Sequence, residues 1–123
     1  MRNNYYLAAG VICLFTAMLH TVGGQLALVD PLLASSLDLQ VKTEWLGAWH
    51  MITFLLWYFG YVLFRNGLKV QAHSASLLKG ILILSILFSI AFIGASFWQG
   101  QHAPQYILFS PIVLLVYFGL RKQ

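Results

Sequence analysis

Acidic side chains are nearly absent from this sequence. Its 123 residues include only three of them, Asp30, Asp38 and Glu44, and all charged residues together make up 8% of the chain. A soluble domain of this size needs far more charge to cover its surface. Hydrophobic residues make up 60% of the chain, and its mean hydropathy is +0.80. The composition therefore excludes a soluble globular protein and predicts a small integral membrane protein, with the lipid bilayer as its surroundings.

Cysteine is almost absent as well, and the basic residues form no patch. Cys13 is the only cysteine, so no intrachain disulfide can form, and we interpret it as a small packing residue in an apolar run. The net charge is +4, but the basic residues stand singly or in pairs at the ends of apolar runs. A nucleic-acid site needs clustered basic side chains on one surface. We therefore expect no nucleic-acid partner.

Four long apolar runs are present and predict four membrane-spanning helices in a single domain, residues 1–123. Runs of about 17 to 25 residues cross a hydrocarbon core of about 30 Å at about 1.5 Å per residue. The predicted fold is an all-α membrane protein, an antiparallel bundle of four transmembrane helices. The expected spans cover residues of about 5–29, 45–64, 76–98 and 104–120.

The prolines predict where two of these helices end or begin. Asp30 and Pro31 should stop the first helix, because the residue before a proline disfavours helical backbone. A loop over residues 30–44 would follow. Pro104 suits the first turn of the fourth helix, and Pro111 should kink that helix.

The distribution of lysine and arginine predicts the orientation. Six of these residues (Arg2, Arg65, Lys69, Lys79, Arg121 and Lys122) lie on one side of the predicted spans, and Lys42 alone lies on the other. Cytoplasmic loops carry the excess of basic residues. We therefore expect an integral membrane protein, of a bacterial inner membrane, with both termini in the cytoplasm.

Polar residues gather at the outer end of the predicted bundle. His20 lies in the first helix and His50 in the second, roughly 13 Å and 7 Å inside the outer boundary by the rise per residue. Glutamines and His102 fill the outer turn, residues 99–105. We expect His20 and His50 to face each other in the interior, with His102 or Gln105 covering the outer opening. Ionisable residues inside a membrane indicate a functional site, because lipid penalises them.

Ligation of a cofactor or metal is the first functional hypothesis. Two histidines on facing helices of a membrane four-helix bundle can hold a b-type haem through both axial positions, so His20 and His50 are the predicted ligands. Adding His102 would instead provide three nitrogens for Zn or Cu. On either hypothesis the protein is a redox or metal-binding component. The predicted pocket residues are Trp49, Thr53, Trp57, Trp98, Gln99 and Gln105.

Two alternatives stay open, and so does the absence of any cofactor. The histidines could be hydrogen-bond partners that fix helix packing in a structural or accessory subunit. They could also line a site for a lipid, a quinone or a transported small molecule. A homo-oligomer or a larger membrane complex is compatible with both. No pattern of nucleophile and base supports hydrolase chemistry, and the sequence leaves open whether the protein is an enzyme.

Overall fold

The computed structural model describes residues 3–69 and 73–122, which form four helices and no strand. The first three helices are long and apolar enough to cross a membrane, and the fourth is a shorter apolar helix of 16 residues. The prediction of an all-helical chain is confirmed. The helices are α1, Asn4–Ala34; α2, Leu39–Gly67; α3, Ala75–Gln99; and α4, Tyr106–Arg121.

Helix α1 does not stop at Asp30 and Pro31, where the sequence predicted its end. It is α-helical over Asn4–Met18, widens into π-helical turns over Leu19–Gly23 and Gln25–Val29, and becomes α-helical again over Asp30–Ala34. Pro31 lies in the first turn of this last segment. The backbone enters this segment through π-helical hydrogen bonding, with the N–H of Asp30 donating to the carbonyl of Gln25 five residues earlier. The helix therefore passes Pro31 with a changed hydrogen-bond register and does not end there.

The long loop predicted over residues 30–44 is replaced by a short turn over residues 35–38. The ammonium group of Lys42 donates to the carbonyl oxygens of Leu33, at 2.9 Å, and Ser35, at 2.7 Å, at the end of α1. The carboxylate of Asp38 accepts from the backbone N–H of Gln40 at 2.9 Å and so caps α2. These hydrogen bonds provide partners for free carbonyl groups at the end of α1 and for a free N–H group at the start of α2. Helix α2 therefore begins at Leu39, six residues before the predicted Trp45.

Helices α1 and α2 run in opposite directions with their backbones in contact. A Cβ on Gly10 would lie 2.5 Å from the backbone nitrogen of Phe64, and a Cβ on Gly67 would collide with the backbone of Leu7. Such small residues let membrane helices approach closely. Helix α2 continues to Gly67, beyond the predicted end at Phe64, and its last turn packs directly on α1.

The four helices are joined through α1 and α4. Helix α1 packs against both α2 and α4, and α3 packs against α4, whereas α2 and α3 have no comparable contact among the described residues. Asn3 joins three helices, because its backbone N–H donates to the carbonyl of Gly67 and its side-chain amide donates to the carbonyl of Gly119. The start of α1, the end of α4 and the start of α3 lie at this end, which we call the terminal end. The opposite end, with the turns at residues 35–38 and 100–105, is the hairpin end.

The hydrophobic core lies in the half of the protein toward the terminal end. In the other half most large apolar side chains are exposed, up to 85% for Phe97 and 87% for Trp98. The side of the hairpin end between α2 and α3 is therefore open. The buried core residues are Tyr6, Ala9, Cys13, Ala17, Leu56, Phe59, Val62, Leu63, Leu78, Ile81, Phe109, Ile112 and Val116.

Candidate functional site

The turn between α3 and α4 is built by one glycine and one serine. Gly100 ends α3 with a φ of +62°, a left-handed conformation that favours glycine. The hydroxyl of Ser96 donates to the carbonyl of Phe92 and accepts from the backbone N–H of Ala103 at 3.0 Å. The chain then resumes helical hydrogen bonding at Pro104, the predicted first-turn proline, whose carbonyl accepts from a backbone N–H three residues later.

Two predicted site residues lie at the same level of the structure. The ring of Tyr6 lies against Gly119, so this contact sets the register of α1 and α4. His20 comes fourteen residues after Tyr6, and Gln105 comes fourteen residues before Gly119. In antiparallel helices both therefore lie roughly 20 Å from that contact, toward the hairpin end. The side-chain carbonyl oxygen of Gln105 is buried and has no hydrogen-bond partner among the described residues.

His20 packs against a tryptophan. Its half-buried imidazole stacks on the indole ring of Trp49, with ring centroids 3.9 Å apart and an interplanar angle of 13°. Its Nε2 atom lies 3.5 Å from the carbonyl oxygen of Trp49, which also accepts from the hydroxyl of Thr53 at 2.9 Å. The indole ring also covers Gly24, where a side chain would collide with it. Of the predicted pocket residues, Trp49 thus contacts His20 directly, and Thr53 shares the carbonyl oxygen of Trp49 with it.

His50 is exposed on α2 and forms no hydrogen bond or ring contact with any described residue. It follows Trp49 directly, and successive residues of a helix point about 100° apart. The observed contacts of His20 therefore involve Trp49, not the predicted partner His50. On the same helix, the indole N–H of Trp57 donates to the hydroxyl of Thr21 at 3.2 Å, which is a further link between α2 and α1.

A cavity of about 520 Å³, wide open to its surroundings and lined mostly by exposed residues, lies at the turn between α3 and α4. Three polar residues of the lining form no side-chain hydrogen bond with a described residue: Gln101, His102 and Tyr106. The rings of His102 and Tyr106 meet edge to face, with centroids 5.8 Å apart. Phe97 and Ile93 provide apolar wall. Trp98 and Gln99, which the sequence predicted for the pocket, are exposed and do not line this cavity.

Sequence reasoning identified His102 but missed the aromatic residues of the cavity. Phe97 and Tyr106 belong to different helices, and neither carries a chemical signature by itself. The helix-ending Gly100 between them was the available signal, because a sharp turn there brings the last turn of α3 beside the first turn of α4.

No group of three or more His, Cys, Asp or Glu side chains within residues 3–69 and 73–122 is placed to hold a metal ion. The haem and metal hypotheses for His20, His50 and His102 stay predictions. Comparisons with known proteins add no assignment: no family model, no curated protein and no solved structure matches this chain.

Proposed function

We propose that the protein binds a small amphipathic molecule with a planar, carbonyl-bearing ring, of the quinone class, at the hairpin end of a membrane-embedded four-helix bundle. The cavity between α3 and α4 carries this proposal. Its volume of about 520 Å³ falls in the range of about 300 to 1,000 Å³ that is typical of small-molecule sites. Its lining combines hydrogen-bonding side chains with an aromatic wall.

The chemistry of the lining favours a ring with carbonyl groups. The imidazole of His102, the hydroxyl of Tyr106 and the amide of Gln101 can each donate a hydrogen bond to a carbonyl oxygen. Phe97 offers a flat apolar surface for the ring. An alkyl tail could follow the exposed apolar side of α3 at Ile93, because among the described residues α2 does not pack against α3 as the other neighbouring helices pack. Such a ligand would have its polar ring at the hairpin end and its tail in lipid.

The membrane placement in this proposal follows the charges. Five of the six Lys and Arg residues that predict a cytoplasmic side lie at the terminal end or in its flanking segments, and Lys42 lies at the hairpin end. The sixth, Arg2, lies outside the described residues. By the excess of basic residues on cytoplasmic segments, both termini face the cytoplasm and all four helices cross the membrane. In a bacterial inner membrane, the cavity would then open toward the periplasm.

Helix length supports a site near the membrane surface. A hydrocarbon core of about 30 Å covers about 20 residues of helix. Counted from the terminal end, it would extend to about Gly24 on α1 and to about Gln101, in the turn that precedes α4. His20, Gln105 and the cavity would then lie near the outer interface, closer to water than the sequence estimate of roughly 13 Å for His20. The turn at residues 35–38 would extend beyond the hydrocarbon.

One observation favours a second candidate, a structural or accessory subunit without a ligand. His20 is held by stacking on Trp49 and by the nearby carbonyl of that residue, as expected of a histidine that fixes helix packing. The exposed His50 could then contact another copy or another subunit. A haem held by two histidines requires both imidazoles to bind one iron, but His20 packs against Trp49. The structure therefore supports a haem less than the cavity supports a quinone.

Ligand titration tests the proposal directly. Protein in mild detergent is titrated with a benzoquinone that carries a ten-carbon tail, while tryptophan fluorescence is recorded. We expect saturable quenching, because Trp98 lies beside the cavity residue Phe97. His102→Ala should weaken binding about five- to tenfold, since one lost hydrogen bond is worth about 1 kcal/mol. Tyr106→Phe should weaken it as well while keeping the ring in place.

His50→Ala is the matched control, because it removes an exposed histidine that does not line the cavity. It should leave the Kd unchanged. A ten-carbon alcohol, which has the tail but no ring, should not compete. Absence of saturable binding, or an equal loss in His50→Ala and His102→Ala, would contradict the proposal and favour the accessory role.

A further inference from the structure

We infer that the terminal end carries a binding site for the headgroups of anionic phospholipids. Two cations there lie over tyrosine rings: Lys122 Nζ is 4.9 Å from the ring centroid of Tyr5, and Arg121 Cζ is 5.0 Å from that of Tyr117. Phe118 connects the two pairs, with its ring centroid 6.0 Å from Tyr5 and 5.6 Å from Tyr117. We call these five residues the basic-aromatic patch.

The cations of the patch have no acidic side chain near them. All three acidic residues of the chain, Asp30, Asp38 and Glu44, belong to the hairpin end, beyond the full length of α4. Both Arg121 and Lys122 are exposed. A cation over an aromatic ring is oriented by the ring but keeps its full positive charge. The patch therefore presents two positioned positive charges to an anion.

The negative end of the α4 helix dipole offsets only part of this positive charge. Arg121 ends α4 and Lys122 follows it, and the end of a helix carries about half an elementary negative charge. Two full positive charges exceed that partial charge. A positive potential therefore remains at the patch.

The surroundings of the patch favour a lipid headgroup over a free anion. Phe118 is 46% exposed and Tyr117 is 40% exposed beside the two cations. Exposed rings next to lysine and arginine suit the boundary between acyl chains and headgroups, where basic residues attract anionic lipids. A free phosphate ion would leave these rings without a partner. This inference requires the terminal end to lie at a membrane surface, but it does not depend on the cavity at the hairpin end.

The test compares lipids by thermal unfolding of the whole protein in detergent. Phosphatidylglycerol, phosphatidylcholine or inorganic phosphate is added, and the change in Tm is measured. We expect phosphatidylglycerol to raise the Tm, and the other two to change it far less. Arg121→Gln/Lys122→Gln should reduce the increase in Tm by at least half. Arg121→Lys, which keeps the charge, should retain most of it.

Lys69→Gln/Lys79→Gln is the matched control. It removes two exposed charges from the same end, and neither lysine stacks on an aromatic ring among the described residues. This variant should keep most of the response to phosphatidylglycerol. If both double variants lost the same share of the increase in Tm, general charge attraction would explain the effect, and the proposal of a specific site would be wrong. Equal shifts with phosphatidylcholine or with inorganic phosphate would overturn recognition of an anionic lipid headgroup.

Discussion

The imidazole of His20 and the indole ring of Trp49 are stacked at 3.9 Å across the interface between α1 and α2. This pair lies on the hairpin side of the hydrophobic core, where Gly24 leaves space for the indole ring. A polar ring on an apolar helix is thus accommodated by an aromatic neighbour and a nearby carbonyl oxygen. Because the contact joins two different helices, it stabilises the open half of the protein.

A double-mutant cycle measures this stacking. His20→Ala and Trp49→Ala should each lower the free energy of unfolding in detergent, and the double variant should lose less than the sum of the two. We expect a coupling free energy of about 0.5 to 1.5 kcal/mol, the range of aromatic pairs. Trp49→Phe should retain part of the coupling because it keeps a flat ring. Additive losses in the two single variants would contradict the contact.

Gly10→Ala should destabilise the protein strongly. The new methyl group would lie 2.5 Å from the backbone nitrogen of Phe64, so α1 and α2 would have to separate. Overpacking of this kind costs about 1 to 3 kcal/mol. The measurement is the free energy of unfolding in detergent.

Gly94→Ala is the matched control for this prediction. Gly94 lies inside α3, and the methyl group of an alanine there would meet no described atom within 4 Å apart from its chain neighbours and the local helix backbone. Alanine is also about 1 kcal/mol better than glycine in a helix interior. This variant should therefore be neutral or slightly more stable. A neutral Gly10→Ala would refute the close approach of the two backbones.

Asn3 should contribute to stability through two separable groups. Its side-chain oxygen accepts from the backbone N–H groups of Tyr5 and Tyr6, and its amide donates to the carbonyl of Gly119. Asn3→Ala removes both and should cost about 1 to 2 kcal/mol. Asn3→Ser keeps an oxygen that can cap the helix but loses the amide donor, so its loss should be smaller. Equal unfolding free energies for the two variants would show that the cap contributes nothing.

Cysteine labelling should show the orientation. In intact bacterial cells, a maleimide that cannot cross membranes should label Ser36→Cys, in the turn of the hairpin end, and should not label Ser74→Cys. The native Cys13 is buried, so it should give no background. Labelling of Ser74→Cys but not Ser36→Cys would reverse the proposed orientation.

Some helix boundaries followed from sequence and others did not. The third predicted span, residues 76–98, differs from α3 by one residue at each end, because Ser74 caps its start and Gly100 ends it. The ends of α1 and α2 depended on contacts across the turn that they share. Lys42 reaches back to the carbonyl of Leu33, and no local pattern encodes that hydrogen bond.

The candidate site was predictable in location but not in geometry. Polar residues gather at one end in the sequence, and His20, Gln105 and His102 do lie toward the hairpin end. Which ring meets His20 depends on how α2 is rotated about its axis, and the close contacts of Gly10 and Gly67 set that rotation. Trp49 therefore faces α1, and His50, one residue later, does not.

The sequence by itself determined that this chain is helical, apolar enough to cross a membrane, and polar at one end. Hydropathy and capping are local properties that can be read along the chain. Only the tertiary structure decided that Trp49 packs on His20, that the core occupies one half of the protein, and that Phe97 and Tyr106 share a cavity. These features depend on the register and rotation of helices whose contacting residues lie far apart in sequence. Small residues along the helix interfaces permit neighbouring backbones to approach closely. The register at which two helices meet, however, depends on all of the contacts between them.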